Sequence, residues 1–160
     1  MEKYTVFVPC GGELTLSDMI LSCDYNWCEL WGGGFEVVED ERFNVNLSQP
    51  YTVEIELVSL GRVMPIEAVI QELVRRAFRP CNLWEFLALD KAQPNRQRRV
   101  TLVGLGTKIK LLPSGNIPAP DRGVLCLQGD RKSRRLLLGR NCDPCDSECL
   151  FPAVRIKQAA

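Results

Sequence analysis

The stretch that decides the fold is residues 65–91, PIEAVIQELVRRAFRPCNLWEFLALDK, which predicts two helices joined by a short turn. In its first half apolar residues recur three and four positions apart, so they line one face of a helix. Pro65 suits the first helical position, where its missing N–H is no loss. Pro80 disfavours helical geometry at Arg79, so we expect the first helix to end there. The apolar face consists of Ile66, Val69, Ile70, Leu73, Val74 and Ala77.

The second helix begins with a capping signal. The Asn82 side chain can accept a hydrogen bond from the Glu85 backbone, and Glu85 can reach back to the Asn82 N–H, as in a capping box. Leu83 and Phe86 give this helix an apolar face, and Pro94 ends it. We expect the helix pair to pack under a sheet formed by the C-terminal strands.

Strand patterns flank the helix pair. Residues 4–8 and 51–58 alternate as half-buried strands do, and residues 35–38 and 42–47 are weaker strand candidates. Between the first two, Thr15 and Asp18 mark a helix start. The later strand candidates are 100–105, 109–111, 124–127, 136–138 and 150–156. On residues 51–58, we expect Tyr51, Val53, Ile55 and Leu57 to face the core and Thr52, Glu54 and Glu56 to face the other way.

These elements predict one domain over residues 1–160 with an α+β fold, in which two or three helices pack on a small, mainly antiparallel sheet. Its parts are a strand and helix region at 1–64, the central helix pair at 65–91, and a strand-rich part at 98–156. No apolar run approaches ~20 residues, so we expect no membrane span. The N-terminus lacks a basic segment followed by an apolar one, so a cytoplasmic protein is the default expectation.

Charge is unevenly distributed although the formal net charge is zero. Residues 1–90 hold 6 Lys/Arg and 15 Asp/Glu, a net −9, whereas residues 91–140 hold 12 and 2, a net +10. Such asymmetry can mark a nucleic-acid or acidic-partner surface, or the two halves can simply pack together. The basic segment 131–135, with Arg96, Arg98 and Arg99, could contact phosphates, but it lacks interleaved aromatic residues for base stacking. Nucleic-acid binding through the basic 96–140 region is therefore one alternative function.

The chain has eight cysteines and no histidine. Without histidine, Ser-His-Asp and Cys-His catalysis are excluded, and we predict that the protein is not an enzyme. Cys142, Cys145 and Cys149 have C-x2-C-x3-C spacing, and three thiols in this pattern can converge on one metal ion. Structural zinc takes four ligands, so the fourth would come from elsewhere, Cys126 or Cys81. Zinc or iron binding through these thiols is therefore the second alternative function. The other explanation of the spacing is three thiols that lie in a loop by chance.

The residue types of the same tract suggest a second interpretation. Asn141, Cys142, Asp143, Cys145, Asp146, Ser147 and Cys149 all have codons that an Asn codon reaches by changing adenines alone. Adenine-directed diversification would produce this pattern, although small polar residues also fill ordinary loops. Residues 139–148 contain no large apolar side chain, and burying their charges would cost several kcal/mol each. We therefore expect this loop to face water, a metal or a partner, on the side of the sheet opposite the helix pair.

Two resemblances bear on the fold. Residues 15–20 and 25–27, with the span from Val53 to Ile156, resemble a family of small uncharacterised proteins from uncultured bacteria that has no assigned activity. Separately, residues 78–85, FRPCNLWE, look like the helix start of the C-type-lectin-like fold found in formylglycine-generating enzymes and in variable proteins of diversity-generating retroelements. Residues 153–156, AVRI, are similar to the final strand of that fold. Cys81 stands where that fold has threonine.

The second resemblance implies where a ligand would bind. It places residues 125–149 on the surface that such folds use for ligands and that retroelements diversify. The leading interpretation is therefore a non-enzymatic module that binds an unidentified protein or small molecule near residues 128–148, without a cofactor. The ligand-facing candidates are Arg131, Lys132, Arg134, Arg135, Arg140, Asn141, Asp143, Asp146, Ser147 and Glu148.

Overall fold

The structure, a computed structural model, describes residues 2–30, 34–39, 41–43, 45–112, 123–139 and 145–156. Its α-helices are α1 (Leu16–Ser22), α2 (Ile66–Arg75) and α3 (Leu83–Ala92). Its strands are β1 (Glu2–Val8), β2 (Trp27–Cys28), β3 (Phe35–Glu39), β4 (Tyr51–Ser59), β5 (Phe78–Pro80), β6 (Leu102–Leu111), β7 (Gly123–Gly129), β8 (Arg134–Gly139) and β9 (Leu150–Arg155). Single 3₁₀ turns lie at Glu41–Phe43 and Arg96–Arg98.

The described strands form one mixed sheet. Its order is β1-β4-β9-β6-β7-β8-β2, with β3 beside β6 and β5 beside β9. Most pairs are antiparallel, but β2 runs parallel to β8, and β6 runs parallel to β9. The α+β class is confirmed, and the nine-stranded sheet is larger than predicted. The last strand in sequence, β9, lies in the interior of the sheet between β4 and β6.

Helices cover both faces of the sheet, which makes one prediction wrong. The helices α2 and α3 do not pack together under the C-terminal strands. Phe86 of α3 belongs to a buried cluster that also contains α1 residues and Leu125 of β7. Leu73 of α2 belongs to a second cluster, with Phe151 of β9. Because β5 joins the sheet between α2 and α3, the chain crosses from one face to the other there.

This arrangement explains the continuous apolar runs in the later strands. Leu125 and Leu127 of β7 face the cluster around α3, while Val124 and Cys126 face the cluster around α2. A strand that is covered on both faces needs apolar side chains at successive positions rather than at alternate ones.

The capping signals are confirmed. The Asn82 side chain accepts a hydrogen bond from the Glu85 N–H at 2.9 Å, and the Glu85 carboxylate accepts one from the Asn82 N–H at 3.0 Å. Thr15 and Asp18 form the same reciprocal pair at the start of α1. These caps were predictable because each satisfies backbone donors within four residues of sequence.

The first helix of the pair ends earlier than predicted. It stops at Arg75, and Ala77 has a φ of 60°, which is left-handed and breaks the helix. The following residues do not continue the helix because they pair with β9, with Arg79 opposite Val154. Pro65 precedes the helix as its N-cap residue rather than occupying its first turn.

The strand predicted at 42–47 is also wrong. Residues 41–43 form a 3₁₀ turn, and residues 45–47 have no regular structure. Phe43 packs against the cluster around α2, so its burial does not require a strand.

Glu56 on β4 was expected on the face away from the core, but it is fully buried. Its Oε1 lies 3.3 Å from Lys3 Nζ and 3.1 Å from Arg155 Nε. Burial alone would raise the pKa of Glu56, but the hydrogen bonds from Arg155 and Lys3 outweigh it and lower the pKa. The carboxylate is therefore tolerated in the sheet because two cations cover it.

In the part of the chain that is described, no helix is long and apolar enough to cross a membrane.

We predict that Glu85→Gln destabilises the fold by on the order of 3 kcal/mol, because it leaves the Arg79 guanidinium without its counter-charge in a largely buried place. Urea unfolding measures the change. Glu54→Gln is the matched control, since Glu54 pairs with Lys3 at the exposed surface and exposed pairs contribute little. Equal losses of stability in the two variants would contradict the proposed importance of the buried pair.

Candidate ligand-binding cleft

A cleft of about 350 Å³ opens at the end of the sheet where β6 and β9 begin. Leu102 is the partner of Leu150 in the parallel pair, and the Leu150 N–H donates to the Thr101 carbonyl at 3.0 Å. The residues that lead into these strands therefore run side by side. Gln128 and Gly129 lie beside them, because β7 is antiparallel to β6 and ends at the same place. The cleft is lined by residues 97–101, 128–129, 146 and 148–149.

Charged side chains of opposite sign line this cleft. Arg98 and Arg99 come from the segment before β6, and Asp146 and Glu148 come from the segment before β9. Within the described ranges, none of the four makes an ion pair. The Arg98 Nη1 donates to the Arg131 carbonyl at 3.2 Å, and its buried Nε finds no acceptor there. Concave sites with a few convergent polar groups are where small ligands bind.

The turn between β7 and β8 borders the cleft and is held by Asp130. Its carboxylate accepts hydrogen bonds from the backbones of Lys132 and Ser133 at 2.7 and 2.9 Å. The bond from the Lys132 backbone and the hydroxyl of Ser133 lower the pKa of Asp130. Arg135 forms an ion pair with Asp130 at 3.2 Å. Of the predicted ligand-facing cations, Arg131 and Lys132 are exposed on this turn, while Arg135 is exposed but paired.

Arg134 does not belong to a ligand-facing surface, contrary to the prediction. It is 8% exposed, pairs with the buried Asp90 at 2.7 Å and donates to the Cys23 carbonyl. Its guanidinium lies 5.4 Å from the centre of the Tyr25 ring. The signal was in the sequence, because Arg134 shares strand parity with Leu136 and Leu138, which are also buried.

Gln97 connects this buried pair to the cleft. Its Nε2 donates to Asp90 at 2.8 Å, and its Oε1 accepts from the Arg135 backbone at 3.0 Å. Burial raises the pKa of Asp90 to about 6, although the Arg134 guanidinium opposes the shift. Arg134 therefore does not line the cleft, and it supports the cleft only through Asp90 and Gln97.

The predicted tract near the C-terminus is only partly described. Asp146 and Glu148 are exposed and Ser147 is half-buried, as expected for a solvent-facing loop. Cys145 is instead buried in the cluster around α2, so the prediction that the tract lies on the side opposite the helices is wrong at this residue. Arg140, Asn141, Cys142 and Asp143 lie outside the described residues.

The cysteines divide between the two faces of the sheet. Cys145 and Cys149 are buried in the same apolar cluster as Cys126, whereas Cys81 lies in the cluster on the opposite face. Of the two candidates for a fourth ligand, Cys126 shares a face of the sheet with Cys145 and Cys149, and Cys81 does not. Among the residues that the structure describes, no three metal-ligating side chains form a group. The metal site thus stays a prediction, to be tested by metal analysis of anaerobically purified protein.

The cations proposed for nucleic-acid contact do not form one free surface. Arg96 pairs with Glu2 at 2.7 Å, and Lys110 pairs with Glu36 at 3.5 Å. Arg98 and Arg99 face the cleft beside two carboxylates. Carboxylates beside the arginines weaken the attraction for phosphate.

A second concavity, of about 530 Å³, lies on the α2 side of the sheet. It is largely apolar and is lined by Arg42, Phe43, Ile70, Gln71, Val74, Arg79 and Ile156. Both cations in its lining have carboxylate partners, since Arg42 lies 2.8 Å from Glu67 and Arg79 lies 2.7 Å from Glu85. This groove contains none of the residues predicted to bind a ligand.

Comparison of the chain with protein-family models, with curated proteins and with solved structures finds no match. The features that bear on function are therefore the cleft itself and the resemblance of residues 78–85 and 153–156 to the C-type-lectin-like fold.

Asp90 makes stability depend on pH. Its pKa is about 6 in the folded protein against an ordinary value of 3.8, so the folded state binds this proton more tightly than the unfolded state. The contribution of Asp90 to the unfolding free energy must then fall as pH rises between about 4 and 6. Urea unfolding across this range should show wild type losing stability relative to Asp90→Asn. If wild type instead gains stability relative to Asp90→Asn as the pH rises, Arg134 outweighs burial; if the two differ by the same amount throughout, folding does not change the pKa of Asp90.

Proposed function

We propose that the protein is a non-enzymatic binding module that takes its ligand in the cleft between the starts of β6 and β9. One observation carries the proposal: four charged side chains line the cleft, and among the described residues none of them is neutralised by an ion pair. Elsewhere the chain pairs its less exposed charges, as at Glu56, Glu85 and Asp90. Charges that stay without a partner in a concave site are suited to an external partner.

The chemistry of three buried thiols, those of Cys10, Cys23 and Cys81, supports a non-enzymatic role. Burial raises the pKa of Cys81 well above its usual range, that of Cys23 to about 11, and that of Cys10. A thiol that does not ionise at neutral pH is a poor nucleophile. The chain also has no histidine to act as a general base.

The C-type-lectin-like fold is part of this proposal. The two segments that carry the resemblance, residues 78–85 and 153–156, are neighbours in the sheet. Phe78 is the partner of Arg155, whose guanidinium lies 4.5 Å from the centre of the Phe78 ring. Arg79 and Glu85, the first and last charged residues of the FRPCNLWE segment, form a bidentate ion pair. If the chain shares that fold, the two segments must lie together although they are far apart in sequence, and they do.

The ligand-binding proposal is tested by a thermal-shift screen of small polar compounds and short peptides. We expect at least one compound to stabilise wild type by ~3–6 °C at tenfold its Kd, since that occupancy is worth about 1.4 kcal/mol. Gln128→Trp places a large ring at the cleft and should abolish the shift. Lys108→Trp, at an exposed position on β6 outside the cleft lining, is the matched control and should keep it.

A compound that stabilises the Gln128→Trp variant as strongly as wild type would contradict the assignment of the site. Retention on heparin that weakens steeply with salt, together with no hit in the screen, would favour the nucleic-acid alternative instead.

Diversification of the cleft region is the second part of the proposal. The exposed Asp146 and Glu148 lie at the cleft, and the adenine-reachable tract 141–149 overlaps them. A variable loop on a fixed sheet is a common way to present a binding surface. We expect a reverse-transcriptase gene and a near-copy of the 3′ end of this gene to lie close by in the genome. Sequencing of that neighbourhood tests this, and the lack of both would remove the diversification proposal without affecting ligand binding.

A further inference from the structure

The two walls of the cleft carry charges of opposite sign, and this difference limits which charges a ligand can carry. Arg98 and Arg99 enter β6 on one side, and Asp146 and Glu148 enter β9 on the other. Opposite charges on parallel segments could neutralise each other, but no ion pair within 4.0 Å joins them in the described chain. The walls therefore leave a gap between a cationic side and an anionic side.

Ligands with a single kind of charge suit this gap poorly. A phosphate that approached Arg98 and Arg99 would also meet the field of Asp146 and Glu148, and a simple amine would meet that of the arginines. Either ligand would be repelled by one wall while it is attracted by the other, and water screens the attraction because these side chains are largely exposed. A ligand that carries both charges gains attraction from both walls.

The volume of the cleft and its uncharged lining residues further limit the chemical class of the ligand. A volume of about 350 Å³ is near the lower end of the range for small-molecule sites, roughly 300–1,000 Å³. Gln128 and Thr101 add an amide and a hydroxyl to the lining, which suit the peptide groups or hydroxyls of a small polar molecule.

We infer that the cleft binds a small zwitterion, an amino acid or a short peptide with free termini. Its carboxylate lies against Arg98 and Arg99, and its ammonium lies against Asp146 and Glu148. This inference rests on the proposed binding function and adds the chemical class of the ligand.

Matched probes test it by NMR titration of the backbone amides of residues 99–101, 128–129 and 147–149. The probes are L-alanine, Ala-Ala, N-acetyl-Ala-Ala, Ala-Ala amide and inorganic phosphate. We expect a zwitterion to bind at least fivefold more tightly than the probe that lacks the ammonium or the probe that lacks the carboxylate, since an exposed ion pair contributes up to about 1 kcal/mol. Comparison of L-alanine with Ala-Ala distinguishes a free amino acid from a peptide.

Single substitutions measure the contribution of each wall to binding separately. Arg99→Gln should weaken Ala-Ala binding by about fivefold and should not weaken the binding of Ala-Ala amide. Glu148→Gln should weaken Ala-Ala binding by a similar factor and should not weaken the binding of N-acetyl-Ala-Ala. Lys108→Gln and Glu13→Gln remove one exposed charge each outside the cleft lining and should change neither affinity. All four positions are exposed, so the variants should fold.

Two results would overturn the inference, in different ways. If phosphate or N-acetyl-Ala-Ala binds at the cleft as tightly as Ala-Ala, the ligand is an anion, and the binding function stands with another chemistry. If none of the five probes moves the cleft amides, the zwitterion class is wrong, and the screen with Gln128→Trp then decides alone whether the cleft binds anything.

Discussion

The interaction on which the rest of the fold depends is the buried pair between Arg79 and Glu85. The two side chains meet through parallel bonds of 2.8 and 2.7 Å, and Glu85 has no exposed surface. The same carboxylate accepts bonds from the Asn82 backbone and the Tyr51 hydroxyl, so one side chain joins β4, β5 and the start of α3. A negative charge at a helix N-terminus is also favoured by the helix dipole. This junction fixes the point where the chain passes from the face of the sheet that α2 covers to the face that α3 covers.

The sequence predicts what is local and misses what is not. Capping at Asn82 and the buried residues Ile55 and Leu57 follow from hydrogen bonds and alternation within a few positions. The separation of α2 and α3 could not be predicted in this way, because each helix carries enough apolar side chains to pack on either face of the sheet. The parallel pairing of β6 with β9 joins segments almost fifty positions apart, and no local pattern specifies it. The sequence indicates only that Arg98 and Arg99 are basic, because no residue near them predicts that Asp146 and Glu148 line the same cleft.

The run RKSRR at 131–135 shows how strand geometry divides one charged segment into different roles. Arg134 points into the molecule and pairs with Asp90, while Arg135 points outward and pairs with Asp130 on the turn. Both residues carry the same charge, but the alternation of side chains along β8 buries Arg134 and exposes Arg135. The buried pair carries Gln97, which also lines the cleft. One residue that shapes the cleft is thus held in place by a buried ion pair that does not itself line the cleft.

The position of β9 governs how the chain can be made. Residues 150–155 fill the space between β4 and β6, so until they leave the ribosome both of those strands keep an open edge. Open strand edges pair readily with other chains. A polypeptide that stops before Leu150 is therefore a candidate for aggregation and degradation rather than a smaller stable domain. A frameshift or premature stop at 128–148 therefore removes the strand that completes the sheet, whereas a substitution there leaves this strand in place.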